Sequence, residues 1–133
     1  MTTTLTLHWL DDLRLASGPD EPPLQLASSA PDAVSPMQTL AYAVMGCMAM
    51  DVVHILKKGR HDLQALSVTF EGARAQDHPK RYTDIHLHFD ITGSVPEDAV
   101  TRAIEMSRTT YCSVSNSLRQ DIAFTTTFAI TRS

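Results

Sequence analysis

The sequence predicts an α+β fold in which short antiparallel strands and a few helices make up one domain. Runs of alternating apolar and polar residues, typical of strands, occur at the beginning, in the middle and at the end of the chain. A long apolar helix and a shorter amphipathic helix interrupt these runs, without the strict β-α-β alternation of a parallel-sheet protein. The length of 133 residues fits one domain, so we assign residues 1–133 to it.

The N-terminal region predicts three short antiparallel strands. Residues 4–10 and 13–17 alternate with period two, and Asp11-Asp12 between them is typical of a hairpin turn. The proline-rich and glycine-containing segment that follows breaks regular structure. Residues 24–28 are a candidate third strand, and a loop connects them to the first helix.

A long apolar helix is predicted next. Ser35 can cap the first free amides, and Pro36 suits the first helical position. The helix should continue to Lys58 and stop at Gly59. Because Asp51 is the single formal charge between its first and last turns, the helix should lie in the core of an assembly. We therefore predict a homodimer in which two such helices pack together.

The second half of the chain predicts two long strands, a second helix and a closing strand. Residues 66–72 and 82–91 alternate, and a turn-forming segment separates them. Pro96 begins a helix with acidic residues in its first turn. Residues 112–119 either extend that helix or form a separate short one, and residues 122–130 form the last strand.

Composition excludes several classes of partner. Lys and Arg total 11 against 15 Asp and Glu, so the chain offers no field that would attract nucleic acid. The N-terminus lacks the basic start and apolar stretch of a secretory signal, and no charge-free run reaches the length of a membrane span. We therefore expect a cytoplasmic protein that binds neither nucleic acid nor a membrane.

The two cysteines, Cys47 and Cys112, are the most informative residues for function. A free cysteine in an apolar segment usually fills core space as a small hydrophobic residue. Here both cysteines lie in helix-compatible segments, and their contexts indicate paired redox thiols. Their spacing matches no zinc or haem motif, so we predict neither a metal site nor a cofactor on them.

Local chemistry ranks the two thiols. Cys47 lies in the middle of a helix, where the dipole acts weakly, and Asp51 one turn later opposes a thiolate. Cys112 lies near the predicted start of a short helix, which is a better place for an anion. By these arguments Cys112 is the more acidic thiol.

Several motifs surround these cysteines. Pro36 precedes Cys47 by eleven residues, residues 45–58 read MGCMAMDVVHILKK, and residues 111–118 read YCSVSNSL. With these motifs the chain resembles the OsmC/Ohr family, whose names denote osmotically inducible protein C and organic hydroperoxide resistance protein. The similarity extends to residues 71–74 (EGAR), to His78-Pro79 and to the element order of essentially the whole chain.

The resemblance implies an intertwined homodimer, with antiparallel sheets around a long buried central helix and active sites at the subunit interface. It also implies thiol-dependent reduction of organic hydroperoxides. By analogy Cys47 is the peroxidatic thiol and Cys112 the resolving thiol, and an external dithiol, lipoyl-type in parts of the family, resets the pair.

One position departs from the family pattern. Peroxidases of the family generally pair an arginine with a glutamate in the segment that opens the long helix, where this chain has Pro36-Met37-Gln38. Gln38 carries no charge, so an ion-paired arginine would be missing or rebuilt. Arg14 is our candidate for that arginine, with a solvated strand position as the alternative. Met37 and Met48 either fill the core or line a soft apolar pocket for an alkyl hydroperoxide.

Three histidines leave alternatives open. His86 and His88 alternate in one strand and could bind zinc, but without an obvious third ligand a solvated strand face is preferred. His54 lies on the same helix face as Cys47, and packing is preferred over a redox role. Two rival functions remain beside the peroxidase: a non-catalytic stress-related or small-molecule-binding protein, and a slow thiol redox sensor.

Overall fold

The computed structural model describes residues 1–132 and divides into two compact units, residues 1–42 and the residues from 43 onward. The described residues form two three-stranded sheets and three α-helices. The α+β class and the predicted order of elements are therefore confirmed.

The first unit contains a small antiparallel sheet. Its strands β1 (Leu7–Asp11), β2 (Arg14–Ser17) and β3 (Gln25–Ala27) are hydrogen-bonded in that order. Asp12 in the first turn has φ of 43°, a left-handed conformation that Asp tolerates better than most residues. The predicted hairpin is confirmed.

The long helix α1 (Pro36–Lys58) has the predicted bounds, but its termination differs from the prediction. Gly59 is the first residue after the helix, while the left-handed residue is Arg60, with φ of 61°. The N–H of Arg60 donates to the carbonyl of Lys57 at 2.9 Å, and the N–H of His61 donates to that of Leu56 at 3.1 Å. These bonds satisfy the last carbonyls of the helix, so a non-glycine residue adopts the conformation that glycine usually supplies.

Only one face of α1 is covered within the single chain. Its buried stripe consists of Val44, Met48, Val52 and Leu56, none more than 1% exposed. Tyr42 and Met50 are 63% and 73% exposed. Against the expectation that no run reaches the length of a membrane span, α1 is long and apolar enough to cross one, a test that core helices pass as well. One side of α1 is therefore buried within the chain, and a core position for the whole helix stays a prediction.

The second unit contains the larger sheet. Its strands β4 (Asp62–Arg74) and β5 (Tyr82–Ser94) are antiparallel, and β6 (Ala123–Thr131) is parallel to β5, which lies in the centre. The sheet is therefore mixed, and the expectation of antiparallel sheets is wrong for β6. Strand β4 begins earlier than predicted, because a register irregularity between Leu63 and Ala65 carries the pairing past the alternating segment.

Strand β5 separates a buried face from a polar one. The buried side chains alternate along the strand and include Ile85, Leu87, Phe89 and Ile91. A stripe on α1 and one face of the second helix supply further buried apolar side chains of this unit. The apolar residues that alternate along β5 therefore form part of the core of the second unit.

The connection from β5 to β6 contains two helices. Helix α2 (Glu97–Met106) follows Pro96, which is its N-cap residue, and continues directly into a π-helical turn at Ser107–Tyr111. Helix α3 (Ser113–Asn116) is a separate short helix that begins immediately after Cys112. Of the two alternatives for this region, the separate short helix is the one observed.

Candidate active site

The structure brings the two cysteines together within the second unit. Both are free thiols; Cys47 on α1 is partly buried and Cys112 is fully buried. The two side chains lie close enough for hydrogen bonding and charge to act between Cys47 and Cys112. Such proximity is what direct disulfide chemistry requires.

Backbone geometry positions Cys112. It is the N-cap residue of α3, and its sulfur accepts a hydrogen bond from the Ser115 N–H at 3.3 Å. Its own N–H donates to the Ser107 carbonyl at 2.7 Å, which closes the π-helical turn. The prediction that this cysteine lies at the start of a short helix is confirmed.

The environment of Cys47 opposes its ionisation. Burial raises the pKa of the Cys47 thiol above its ordinary value, while a hydrogen bond from the Val114 backbone amide acts in the opposite direction. The hydrogen bond to Cys112 raises this pKa further, as do the negative charges of an ionised Cys112 and of Asp51. The predicted opposition between Asp51 and a Cys47 thiolate is therefore confirmed in direction.

Asp51 also has a structural contact. Its carboxylate accepts a 2.8 Å hydrogen bond from the hydroxyl of Ser107, which is fully buried. Asp51 lies one turn after Cys47, and Ser107 opens the turn that leads to Cys112. This hydrogen bond therefore joins the two elements that carry the thiols.

A buried hydroxyl beside the sulfurs has no partner among residues 1–132. Ser115 is 2% exposed, and its Oγ makes no hydrogen bond there, although its N–H donates to Cys112. Leaving such a group unsatisfied costs about 1–3 kcal/mol. From the sequence we expect Ser115 to be a local hydrogen-bonding residue, as a hydroxyl near a helix start usually is, but its hydroxyl makes no such bond within residues 1–132.

Gln38 and Arg14 are both engaged within the first unit. The Gln38 side chain accepts from the Ser35 N–H at 2.9 Å, and the Ser35 hydroxyl accepts from the Gln38 N–H at 3.1 Å. This reciprocal arrangement is a capping box, a pattern the sequence carries as Ser-x-x-Gln. Arg14 donates to Gln25 at 2.8 Å and forms an ion pair with Asp32 at 3.0 Å.

The methionines near Cys47 occupy different environments. Met48 is fully buried, which agrees with the core-filling alternative. Met37 is partly buried and Met50 is exposed.

The histidines have polar or solvent-facing environments. The Nδ1 atoms of His86 and His88 lie 2.7 Å from the hydroxyls of Thr125 and Thr127, respectively. Among residues 1–132, no three His, Cys, Asp or Glu side chains are grouped so as to hold a metal ion. His54 is exposed in the single chain, so its packing at an interface between helices stays a prediction.

Comparison with known proteins identifies the family. The family model described as OsmC-like protein matches residues 29–127. The chain belongs to the OsmC family. Protein YhfA of Escherichia coli K12 is 38% identical over 104 residues, which cover 77% of this chain and 78% of YhfA. The resemblance inferred from the cysteine motifs is thus confirmed.

Two solved structures show the same fold. A hypothetical protein from Aquifex aeolicus VF5 superposes with a TM-score of 0.92 at 23% identity, covering 100% of this chain and 98% of that one. An organic hydroperoxide resistance protein OsmC from Legionella pneumophila superposes with a TM-score of 0.73 at 19% identity, covering 97% of both chains. At these identities the likeness concerns the OsmC fold alone.

Proposed function

We propose that this OsmC-family chain is a thiol-dependent peroxidase that reduces organic hydroperoxides through Cys47 and Cys112. The observation that carries the proposal is the proximity of two free thiols on separate elements, α1 and the start of α3. Relatives of the same fold that are named organic hydroperoxide resistance proteins support the choice of substrate class.

The proposed reaction has two steps within the protein. The Cys47 thiolate attacks one peroxide oxygen, the O–O bond breaks, and the other oxygen leaves as an alkoxide that takes a proton to become the alcohol. Cys47 is then a sulfenic acid. The Cys112 sulfur attacks the Cys47 sulfur, an S–S bond forms, and the sulfenic oxygen leaves as water.

Groups at the start of α3 support both steps. The Val114 amide donates to the Cys47 sulfur and favours its thiolate. The Ser115 hydroxyl, buried and without a partner among the described residues, supplies a donor for the oxygen carried by Cys47 after attack. In this proposal the Ser115 hydroxyl gains a hydrogen-bond partner when Cys47 becomes a sulfenic acid.

An external dithiol completes the cycle. Its first sulfur attacks the Cys47–Cys112 disulfide to form a mixed disulfide, and its second sulfur displaces the protein thiol. We propose a lipoyl-type dithiol as this reductant. A cytoplasmic location accompanies the proposal, because a reducing compartment keeps both thiols reduced between turnovers.

We also propose a homodimer in which two α1 helices pack together. The exposed apolar side chains on α1 and in the N-terminal hairpin support it, since monomers rarely expose so many large ones. They include Leu7, Trp9, Leu13, Tyr42 and Met50. Sedimentation should give a dimer for the native chain and a shift toward monomer for Met50→Asp.

A slow thiol redox sensor is the second candidate. Within residues 1–132, the groups that act on the Cys47 thiol include no cation, and its pKa is raised. Gln38 and Arg14, the candidates for activation, make other contacts in the first unit. A sensor would form the same disulfide but at a rate too low for turnover.

The test mixes reduced protein with one equivalent of cumene hydroperoxide. We expect the native chain to lose two thiols per peroxide and to gain one intramolecular disulfide, detected by mass spectrometry. Cys112→Ser should stop at a sulfenic acid that dimedone traps, and Cys47→Ser should react no faster than free cysteine. If Cys47→Ser consumes peroxide as fast as the native chain, the proposal is wrong. Steady-state turnover with dihydrolipoamide separates the peroxidase from the slow sensor.

A further inference from the structure

A cavity of about 660 Å³ lies on the helical side of the second unit. It is lined by the last two turns of α1, the loop that follows, one side of α2 and Tyr111. Neither cysteine lines it. Its volume falls within the range of sites for small organic ligands, about 300–1,000 Å³.

Two cations line this cavity without an acidic partner. Lys58 at the end of α1 and Arg102 on α2 both contribute to the wall. Among residues 1–132, neither side chain has a carboxylate within 4.0 Å. The chain as a whole carries a net charge of −4, so this cation pair is not a general property of the surface.

The acidic residue in the cavity wall already has a hydrogen-bond partner. Asp51 is the only acid among the described residues that line the cavity, and its carboxylate accepts the Ser107 hydroxyl. His54 and His61 add ring nitrogens that can donate hydrogen bonds. The polar part of the wall is therefore suited to an anion rather than a cation.

The remaining wall is apolar. Ile55 and Met106 line the cavity together with Ala99, and unbranched methionine adapts to ligands of variable shape. A wall that combines two unpaired cations with aliphatic side chains matches a ligand with one anionic group and an aliphatic body.

We propose that this cavity is a binding site for an aliphatic carboxylate, held by Lys58 and Arg102 at its charged end and by Ile55 and Met106 along its chain. Neither cysteine contributes to the wall, although Asp51 and Tyr111 of the wall lie near them in the chain. The proposed site therefore does not depend on the proposed peroxidase activity.

The test is calorimetric titration of the full chain with octanoate and with octanamide, its neutral analogue of equal length. Octanoate should bind once per chain, and octanamide about tenfold more weakly or worse. Lys58→Met and Arg102→Met should each weaken octanoate about fivefold or more while leaving octanamide unchanged.

Lys57→Met is the matched control, because Lys57 is the exposed neighbour of Lys58 and does not line the cavity. It should bind octanoate as the native chain does, and circular dichroism should show native helix content in all three variants. The proposal is overturned if octanamide binds as tightly as octanoate or if Lys57→Met weakens binding as much as Lys58→Met. Absence of saturable octanoate binding, as when a second copy of the chain fills the cavity, also overturns it.

Discussion

The Ser107 hydroxyl donates to the Asp51 carboxylate across 2.8 Å, and this contact joins the two cysteine-bearing elements of the chain. Asp51 follows Cys47 by one helical turn, and the Ser107 carbonyl accepts the Cys112 N–H. The same carboxylate raises the pKa of Cys47. Asp51 thus helps to position the two thiols, but its negative charge disfavours ionisation of Cys47.

Peroxide reduction should become faster with rising pH. The pKa of Cys47 lies above its ordinary value, so near neutral pH most Cys47 is protonated and the thiolate fraction grows about tenfold per pH unit below that pKa. Stopped-flow measurement of cumene hydroperoxide reduction between neutral and alkaline pH checks this. A rate independent of pH over this range would show that Cys47 is already ionised.

Asp51→Asn should lower the pKa of Cys47. The amide oxygen can still accept the Ser107 hydroxyl, whereas the negative charge that opposes the thiolate is gone. Iodoacetamide alkylation of Cys47 at neutral pH, followed by peptide mass spectrometry, should become several-fold faster, about threefold to tenfold. Glu97→Gln, an exposed charge removal in the first turn of α2, should leave the alkylation rate unchanged.

Ser107→Ala should destabilise the fold. It removes the hydroxyl that donates to the half-buried Asp51 carboxylate, and a loss of this kind costs about 1–3 kcal/mol. Urea denaturation measures the free energy of unfolding. The exposed Ser113→Ala is the comparison, and equal stability of the two variants would contradict the structural role of the Asp51 contact.

Ser115→Ala should separate stability from activity. Because the hydroxyl is buried without a partner among the described residues, its removal should not lower the free energy of unfolding. Peroxide reduction should nevertheless slow about tenfold, if Ser115 donates to the oxygen on Cys47. Single-turnover kinetics beside urea titration tests both halves, and an unchanged rate removes Ser115 from the proposed mechanism.

Gly93→Ala should prevent normal pairing of β4 with β5. Gly93 has φ of +140°, and a Cβ atom there would lie 2.0 Å from the Asp62 carbonyl oxygen. The expected loss exceeds about 3 kcal/mol. Gly46→Ala is the matched control, since a Cβ atom there would meet no side chain of the described residues within 4 Å, and it should gain up to about 1 kcal/mol of helix stability. Thermal unfolding distinguishes the two.

The bounds of α1 could be predicted from sequence because its determinants are local. A Ser-Pro start, an almost uncharged interior and two lysines before Gly59 coincide with the observed Pro36–Lys58. The left-handed Arg60 could not be anticipated in the same way, because propensity assigns that conformation to glycine and the observed bonds override it.

The direction of β6 also lay beyond local reasoning. Its alternation identifies a strand, but parallel pairing with β5 depends on how the intervening helices return the chain.

The proximity of Cys47 and Cys112 likewise required the family resemblance, since many residues separate them and no spacing rule links them. We did not predict the capping role of Gln38 from the sequence, although the pattern Ser-x-x-Gln beginning at Ser35 indicates it.

Cys112 lies at the start of α3, where its sulfur accepts a hydrogen bond from the Ser115 amide. The proposed resolving thiol is therefore also the N-cap of this helix. A disulfide bond to Cys47 would constrain the Cys112 sulfur and alter its hydrogen bond with the Ser115 amide, so oxidation should weaken what holds the first turn of this four-residue helix. The backbone at residues 113–116 should therefore report the oxidation state of the protein, exchanging its amide hydrogens faster when the cysteines are joined. The Cys112 sulfur would thus couple the oxidation state of the cysteines to the stability of helix α3.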